Sequence, residues 1–188
     1  NVAFASTGEF VVVWESDGST GTDHDYTSVQ GQRYDADGSP LGSEFQVNTY
    51  TTYSQSGPAI SVDSEGNFVV VWESHGARLG RDCVRSNIKG QRFAPDGSPV
   101  SGEFQLTGSA ACIQSGLAVA TVSPGDFLLV WESYDSRGTD NSDRSVQVQR
   151  FASDGTPMSE PFQVNSYTTG DQYRPELARG MDGEFVVV

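Results

Sequence analysis

A seven-residue phrase recurs along the chain at nearly constant spacing. It reads Phe10-Val11-Val12-Val13-Trp14-Glu15-Ser16, then Phe68-Val69-Val70-Val71-Trp72-Glu73-Ser74, then Phe127-Leu128-Leu129-Val130-Trp131-Glu132-Ser133. A fourth copy opens at Phe185-Val186-Val187-Val188. The tryptophans are 58 and 59 residues apart. A repeat of that length is one supersecondary unit whose apolar face it cannot bury alone, so the chain must fold as an array. All 188 residues belong to it: units at 10–67, 68–126 and 127–184, a partial unit at 1–9, and the start of another at 185–188.

Each unit divides into four β-prone runs. Run one is the recurring phrase. Run two is Ser28–Tyr34, with Asn87–Phe93 and Ser145–Phe151 as its copies. Run three is Glu44–Val47, Glu103–Leu106 and Pro161–Val164; run four is Pro58–Val62, Leu117–Thr121 and Pro175–Arg179. Runs two and three alternate apolar and polar residues, the period of a half-buried strand, and no window keeps a helical period. Run one is continuously apolar, which requires burial on both faces. Asp37-Gly38, Asp96-Gly97 and Asp154-Gly155 supply hairpin turns between runs two and three. Four antiparallel strands per unit predict an all-β fold, a β-propeller of four-stranded antiparallel blades with run one innermost. Trp14, Trp72 and Trp131 are then its core residues, buried between blades. An array of β-sandwiches is the alternative. Three complete units are fewer than a typical propeller has, so further blades are expected from more chain or from a second copy. Both ends read as cut, and the chain is expected to be part of something longer.

Composition narrows the function classes. The formal net charge is −14, and Lys89 is the single lysine. Such a surface repels nucleic acid and anionic membranes alike. No run of apolar residues is long enough for a membrane-spanning helix, so membrane insertion is not expected. Twenty-one glycines and eight prolines fit a fold rich in turns.

The run-one phrase, the stretch Gly31-Gln32-Arg33-Tyr34-Asp35-Ala36-Asp37-Gly38-Ser39-Pro40-Leu41-Gly42-Ser43-Glu44-Phe45-Gln46-Val47-Asn48-Thr49 and Tyr167-Thr168-Thr169-Gly170-Asp171-Gln172 resemble tandem repeats of large secreted bacterial proteins. Such proteins often carry adhesin-like modules or hemolysin-type calcium repeats. The resemblance covers essentially the whole chain and implies an extracellular or cell-surface location. No glycine-rich nonapeptide calcium repeat is present, so calcium-roll chemistry does not carry over.

The loops after run one hold the candidate metal ligands. The first carries Asp17, Asp23, His24 and Asp25; the third carries Asp135, Asp140, Asn141 and Asp143. These carboxylates are hard oxygen donors of the kind calcium takes, so Ca2+ is the candidate cofactor, through Asp17, Asp23 and Asp25 and through Asp135, Asp140 and Asp143. The second loop has Arg78, Arg81, Asp82 and Arg85 instead, and its three arginines oppose a cation. Glu15, Glu73 and Glu132 recur at the end of run one, and Arg33, Arg92 and Arg150 recur in run two. Repetition in every unit points to a Glu–Arg bridge between strands; a carboxylate ring at a channel mouth is the functional alternative. The loops after run three, with Tyr50 and Tyr53 in the first, share an edge with the Asp-rich loops and offer rings and hydroxyls to a sugar.

Cys83 and Cys112 lie in two loops of the same unit that an up-down blade places at one edge. A disulfide between them is expected, and it implies an oxidising compartment. The two histidines, His24 and His75, accompany no nucleophile motif, and there is no phosphate loop, dinucleotide fingerprint or Cys/His metal spacing, so no catalytic residue is assigned. The expected function is therefore a non-catalytic binding, structural or adhesive module of a secreted protein, with a glycan or a protein as ligand. A calcium-dependent, lectin-like carbohydrate-binding module is one alternative. A hydrolase of extracellular polysaccharide, built on paired carboxylates, is the other.

Overall fold

A computed structural model describes residues 1–78, 84–108, 114–134, 138–140, 144–180 and 184–188. Cys83 and Cys112, with Asp135 and Asp143, lie outside the described residues. All the regular structure described is β, in three four-stranded antiparallel sheets and one two-stranded sheet. The first sheet joins β1 (Val2–Phe4), β2 (Phe10–Ser16), β3 (Ser28–Tyr34) and β4 (Phe45–Gln46), in that order. The second joins β5 (Gln55–Val62), β6 (Phe68–Arg78), β7 (Val84–Phe93) and β8 (Phe104–Gln105). The third joins β9 (Gln114–Thr121), β10 (Phe127–Ser133), β11 (Ser145–Phe151) and β12 (Phe162–Gln163). The last pairs β13 (Leu177–Arg179) with β14 (Phe185–Val187). These are the blades of a β-propeller.

The blades are out of phase with the sequence repeat. Run four of each unit crosses over to become the first strand of the next sheet, and run one is the second strand. Successive sheets touch through β1, β5, β9 and β13, so run four, not run one, is innermost. The reason lies in the backbone. β5 carries Pro58 beside a bulge between Ser56 and Ala59, and a residue without an N–H belongs on a strand whose outer side has no ladder. Run one is apolar throughout because it is interior to its sheet and covered by a blade on each face. Phe68, Val70 and Trp72 pack with Val11, Val13 and Val29 of the first sheet; Val69 and Val71 pack with Leu129 and Trp131 of the third.

Trp72 is fully buried and Trp131 is 3 % exposed, as the repeat predicts. Trp14 is only half-buried, because no sheet of this chain packs on its side of the first blade. The Asp-Gly turns hold positive φ at Gly38, Gly97 and Gly155. Up-down order puts those turns on one face of the array. The loops after β2, β6 and β10 lie on the other, together with the crossovers after β4, β8 and β12.

Candidate active site

Run one carries Glu15 and Glu132 to the ends of β2 and β10 and Glu73 to the equivalent position within the longer β6, toward the loop face. Run two carries its arginines to the opposite face, since the register sets Val11 opposite Arg33 while Glu15 faces Val29. The expected Glu–Arg bridges between these strands therefore do not form. Arg92 pairs with Asp63 at 3.1 Å, Arg150 with Asp126 at 3.2 Å, and Arg33 Nη1 donates to the Asp96 carbonyl at 2.6 Å.

Glu15 and Glu73 instead reach the inner strand of the next blade, and Glu132 the segment that leads into β13. Gly57 N–H donates to Glu15 Oε2 at 3.3 Å, Gly116 N–H to Glu73, and Arg174 N–H to Glu132 Oε1 at 2.7 Å. All three donors sit in left-handed backbone, with φ of 57°, 61° and 56°. A Cβ on Gly57 would come within 2.8 Å of Glu73 Oε1, so the glycine also makes room for the carboxylate of its own blade.

The three equivalent carboxylates have three different surroundings. Glu15 is exposed. Glu132 is buried and pinned: Arg144 Nη1 donates to its Oε2 at 2.8 Å and Ser115 Oγ at 3.1 Å. Among the described residues Glu73 has no lysine or arginine within ion-pair distance, and the Arg144 charge acts on it only from the neighbouring blade. Burial pushes its pKa up to about 7; the Gly116 N–H opposes the rise, and the charges of Glu132 and Glu15 reinforce it. A carboxyl that keeps its proton near neutrality beside other carboxylates is the arrangement that divides acid from base roles among chemically identical groups.

His75 distinguishes the second blade, since Asp17 and Tyr134 stand at its position in the first and third. Its Nε2 is 2.8 Å from Ser56 Oγ and 3.6 Å from Glu73 Oε2. Burial holds its pKa below the usual histidine value. Ser56 and Glu73 approach the same ring nitrogen, whereas a nucleophilic triad needs the serine and the acid on opposite nitrogens. The cluster is thus built for proton placement rather than serine attack.

In front of it opens a cleft of about 560 Å³, lined by Glu15, Tyr26, Thr27, Tyr53, Ser54, Ser56, His75 and Gly76. Tyr26 comes from the Asp-rich loop and Tyr53 from the crossover after β4. Tyr50, expected to share in sugar binding, is held elsewhere: its ring lies under Lys89 Nζ, 4.1 Å from the centroid, and its N–H donates to Glu103 at 3.2 Å. Burial would raise the Glu103 pKa, but hydrogen bonds from Lys89, Thr49 and Tyr50 bring it below the usual value.

The described candidate metal ligands act as loop clips. Asp23 is buried, and its Oδ2 accepts from Asn48 Nδ2 at 2.7 Å while Asn48 Oδ1 accepts the Val29 N–H at 2.8 Å. Asp140, Asn165 and Val146 repeat this arrangement in the third blade, at 2.9 Å for both bonds. In the second blade Thr107 takes the asparagine's place and accepts from Ile88 N–H at 2.9 Å; the equivalent aspartate, Asp82, lies outside the described residues. Asp25 Oδ2 accepts the Tyr53 N–H at 3.0 Å, and Asp17 is exposed. Among the described residues, no group of three or more His, Cys, Asp or Glu side chains gathers as a metal site would require.

Sequence reasoning noticed the glutamates and missed the cleft. The signal available was His75, alone at its position among the three units, next to a tyrosine-bearing crossover.

No protein-family model matches the chain, and no curated protein sequence matches it either. Solved structures do. The chain is similar to the α-L-arabinanase of Penicillium chrysogenum complexed with arabinobiose, at 13 % identity and a TM-score of 0.59, over 96 % of this chain and 48 % of that one. It is similar to an α-L-arabinofuranosidase from Lactobacillus brevis, at 15 % identity and a TM-score of 0.54, over 96 % of this chain and 61 % of the other. It also resembles an endo-arabinase from Bacteroides thetaiotaomicron, at 15 % identity and a TM-score of 0.53, over 99 % and 67 %. The chain thus spans from about half to two thirds of these proteins. At such identities the likeness is one of fold, the β-propeller. The non-catalytic, adhesive reading of the sequence is nonetheless overturned: the three structures sharing its blades are enzymes, and the loop face carries a differentiated carboxylate cluster that the reading did not anticipate.

Proposed function

We propose that the chain forms the acidic cleft of an extracellular β-propeller hydrolase acting on a polysaccharide. One observation carries the reading: Glu73, proton-bearing near neutrality, lies 3.6 Å from Nε2 of His75, which together with the exposed Glu15 lines an open cleft. Glu73 is the general acid. It donates its proton to the glycosidic oxygen as the C–O bond breaks, and water adds at the sugar carbon. Glu15 is the partner carboxylate facing solvent, where as general base it takes a proton from that water as its oxygen bonds to the sugar carbon. Glu132, held by Arg144, acts at one remove, through the charge that helps to keep the proton on Glu73. Arabinose-containing glycans head the list of substrates to try, because the structural neighbours named above are arabinanases and an arabinofuranosidase.

The test is release of reducing ends from a panel of soluble polysaccharides by the full-length protein. Glu73→Gln and Glu15→Gln should each lower the rate by about 10²-fold or more while the fold is retained. Hydrolysis of no glycan, or full activity in Glu73→Gln, overturns the proposal.

A further inference from the structure

Tyr26 and Tyr53 stand in left-handed backbone, at φ 62° and 63°. Aromatic residues rarely occupy that region, because the Cβ crowds the backbone. The repeat shows what the position prefers. Tyr53 lies five residues beyond Asn48, and five residues beyond the equivalent Asn165 stands Gly170, at φ 74°. The first blade thus places a tyrosine where the third places a residue with no steric cost.

The strain is held from both sides. Tyr53 N–H donates to Asp25 Oδ2 at 3.0 Å, and its carbonyl accepts from Gln55 Nε2 at 3.4 Å. Gln55 is itself buried and accepts from Trp72 Nε1 at 3.1 Å. Yet the rings gain little burial in return: Tyr26 is 69 % and Tyr53 38 % exposed, and both line the cleft. Strain that does not serve the core, at a cleft beside perturbed carboxylates, serves to aim a side chain.

Charge defines what the rings can receive. Among the described residues the cleft lining contains Glu15 and His75 and no lysine or arginine, and the chain is strongly acidic. A polyanionic chain is repelled there. An uncharged sugar ring presents one face of C–H bonds that stacks on an aromatic ring, and its hydroxyls suit the polar groups of the cleft.

We infer that Tyr26 and Tyr53 form an aromatic clamp that seats an uncharged sugar ring of a neutral glycan at the carboxylate cluster and selects against uronate-rich chains. The inference rests on the hydrolase reading for the role of the bound glycan; the binding itself is measurable without it.

The experiment uses full-length protein carrying Glu73→Gln, so that hydrolysis during the titration is slowed, with arabinan and xylan as neutral probes and polygalacturonate as the acidic one. Calorimetric titration should show binding of at least one neutral glycan and none of polygalacturonate at the same salt. Adding Tyr53→Gly should weaken binding at least tenfold and leave the melting temperature equal or higher, because the glycine of the third blade relieves the strain. Tyr26→Asn should weaken binding without unfolding, and Tyr53→Asn, which also tolerates the left-handed region, repeats the reading should glycine loosen the loop. Binding unchanged in these variants, equal affinity for polygalacturonate, or no affinity for a neutral glycan overturns the clamp. Intact, tyrosine-dependent binding with no hydrolysis by the wild type would fail the hydrolase reading alone; hydrolysis indifferent to both tyrosines would fail the clamp alone.

Discussion

His75 Nε2 lies 3.6 Å from Glu73 Oε2, so the second blade joins a neutral-leaning imidazole to a proton-retaining carboxyl within one cluster. Neither group is stabilised in its charged form by burial, and their pH effects on stability have opposite signs. The carboxyl binds its proton more tightly in the folded protein, and the imidazole less tightly.

The first prediction follows for Glu73. An ordinary glutamate titrates at 4.5, and Glu73 in the folded protein at about 7. Its contribution is therefore fully present below 4.5 and is lost as pH rises through about 7. A difference of this size corresponds to about 3 kcal/mol. Glu73→Gln should be more stable than wild type by up to that amount above neutrality and should converge with it in acid. His75 acts in the reverse direction, losing stability as pH falls into and below the ordinary histidine range, and is shared by both proteins. Urea denaturation at a series of pH values reads the difference, and parallel curves would sink the assignment.

The bulge donors should respond with opposite signs. Gly57→Ala and Gly116→Ala put a Cβ on left-handed backbone against a glutamate, and each should cost about 1–3 kcal/mol. Arg174→Gly removes strain at the equivalent site and should gain up to about 1 kcal/mol. Denaturation midpoints at constant slope decide between these signs.

Asp23→Ala removes one of the two acceptors of the buried Asn48 amide, the Tyr50 carbonyl being the other, and should cost about 1–3 kcal/mol. Asp17→Ala, at an exposed carboxylate, should stay within about 0.5 kcal/mol. Both are measured in chelator and again in calcium. Equal losses for Asp23→Ala identify a hydrogen-bonded clip, and a loss confined to calcium would identify a cation site instead.

Truncating the repeated tryptophans should separate them. Trp72→Ala empties a fully buried position between two blades and should cost about 3–5 kcal/mol. Trp14→Ala, half-buried on the first blade, should cost markedly less by thermal or chemical denaturation. Equal costs would mean that the first blade is covered in solution.

The cluster was only half legible beforehand. Glu15, Glu73 and Glu132 stood out by recurrence, but recurrence alone favoured pairing them with Arg33, Arg92 and Arg150, which the strand register sends to the other face. The Asp-rich loops suggested calcium because charge is visible in a sequence and partners are not. The partners of Asp23 and Asp140 are Asn48 and Asn165, each 25 residues further along the chain.

Local chemistry determined the blades themselves: the spacing of the tryptophans, the continuous apolar phrase that needs two covered faces, and the Asp-Gly turns. These depend on neighbours along the chain and are repeated in every unit. Tertiary structure decided which strand lies innermost, because that depends on where Pro58 and its bulge have no ladder to complete. It also decided that three identical glutamates differ. Their surroundings differ in burial, in the Arg144 ion pair at Glu132 and in the His75 contact at Glu73, and those surroundings come from different parts of the chain.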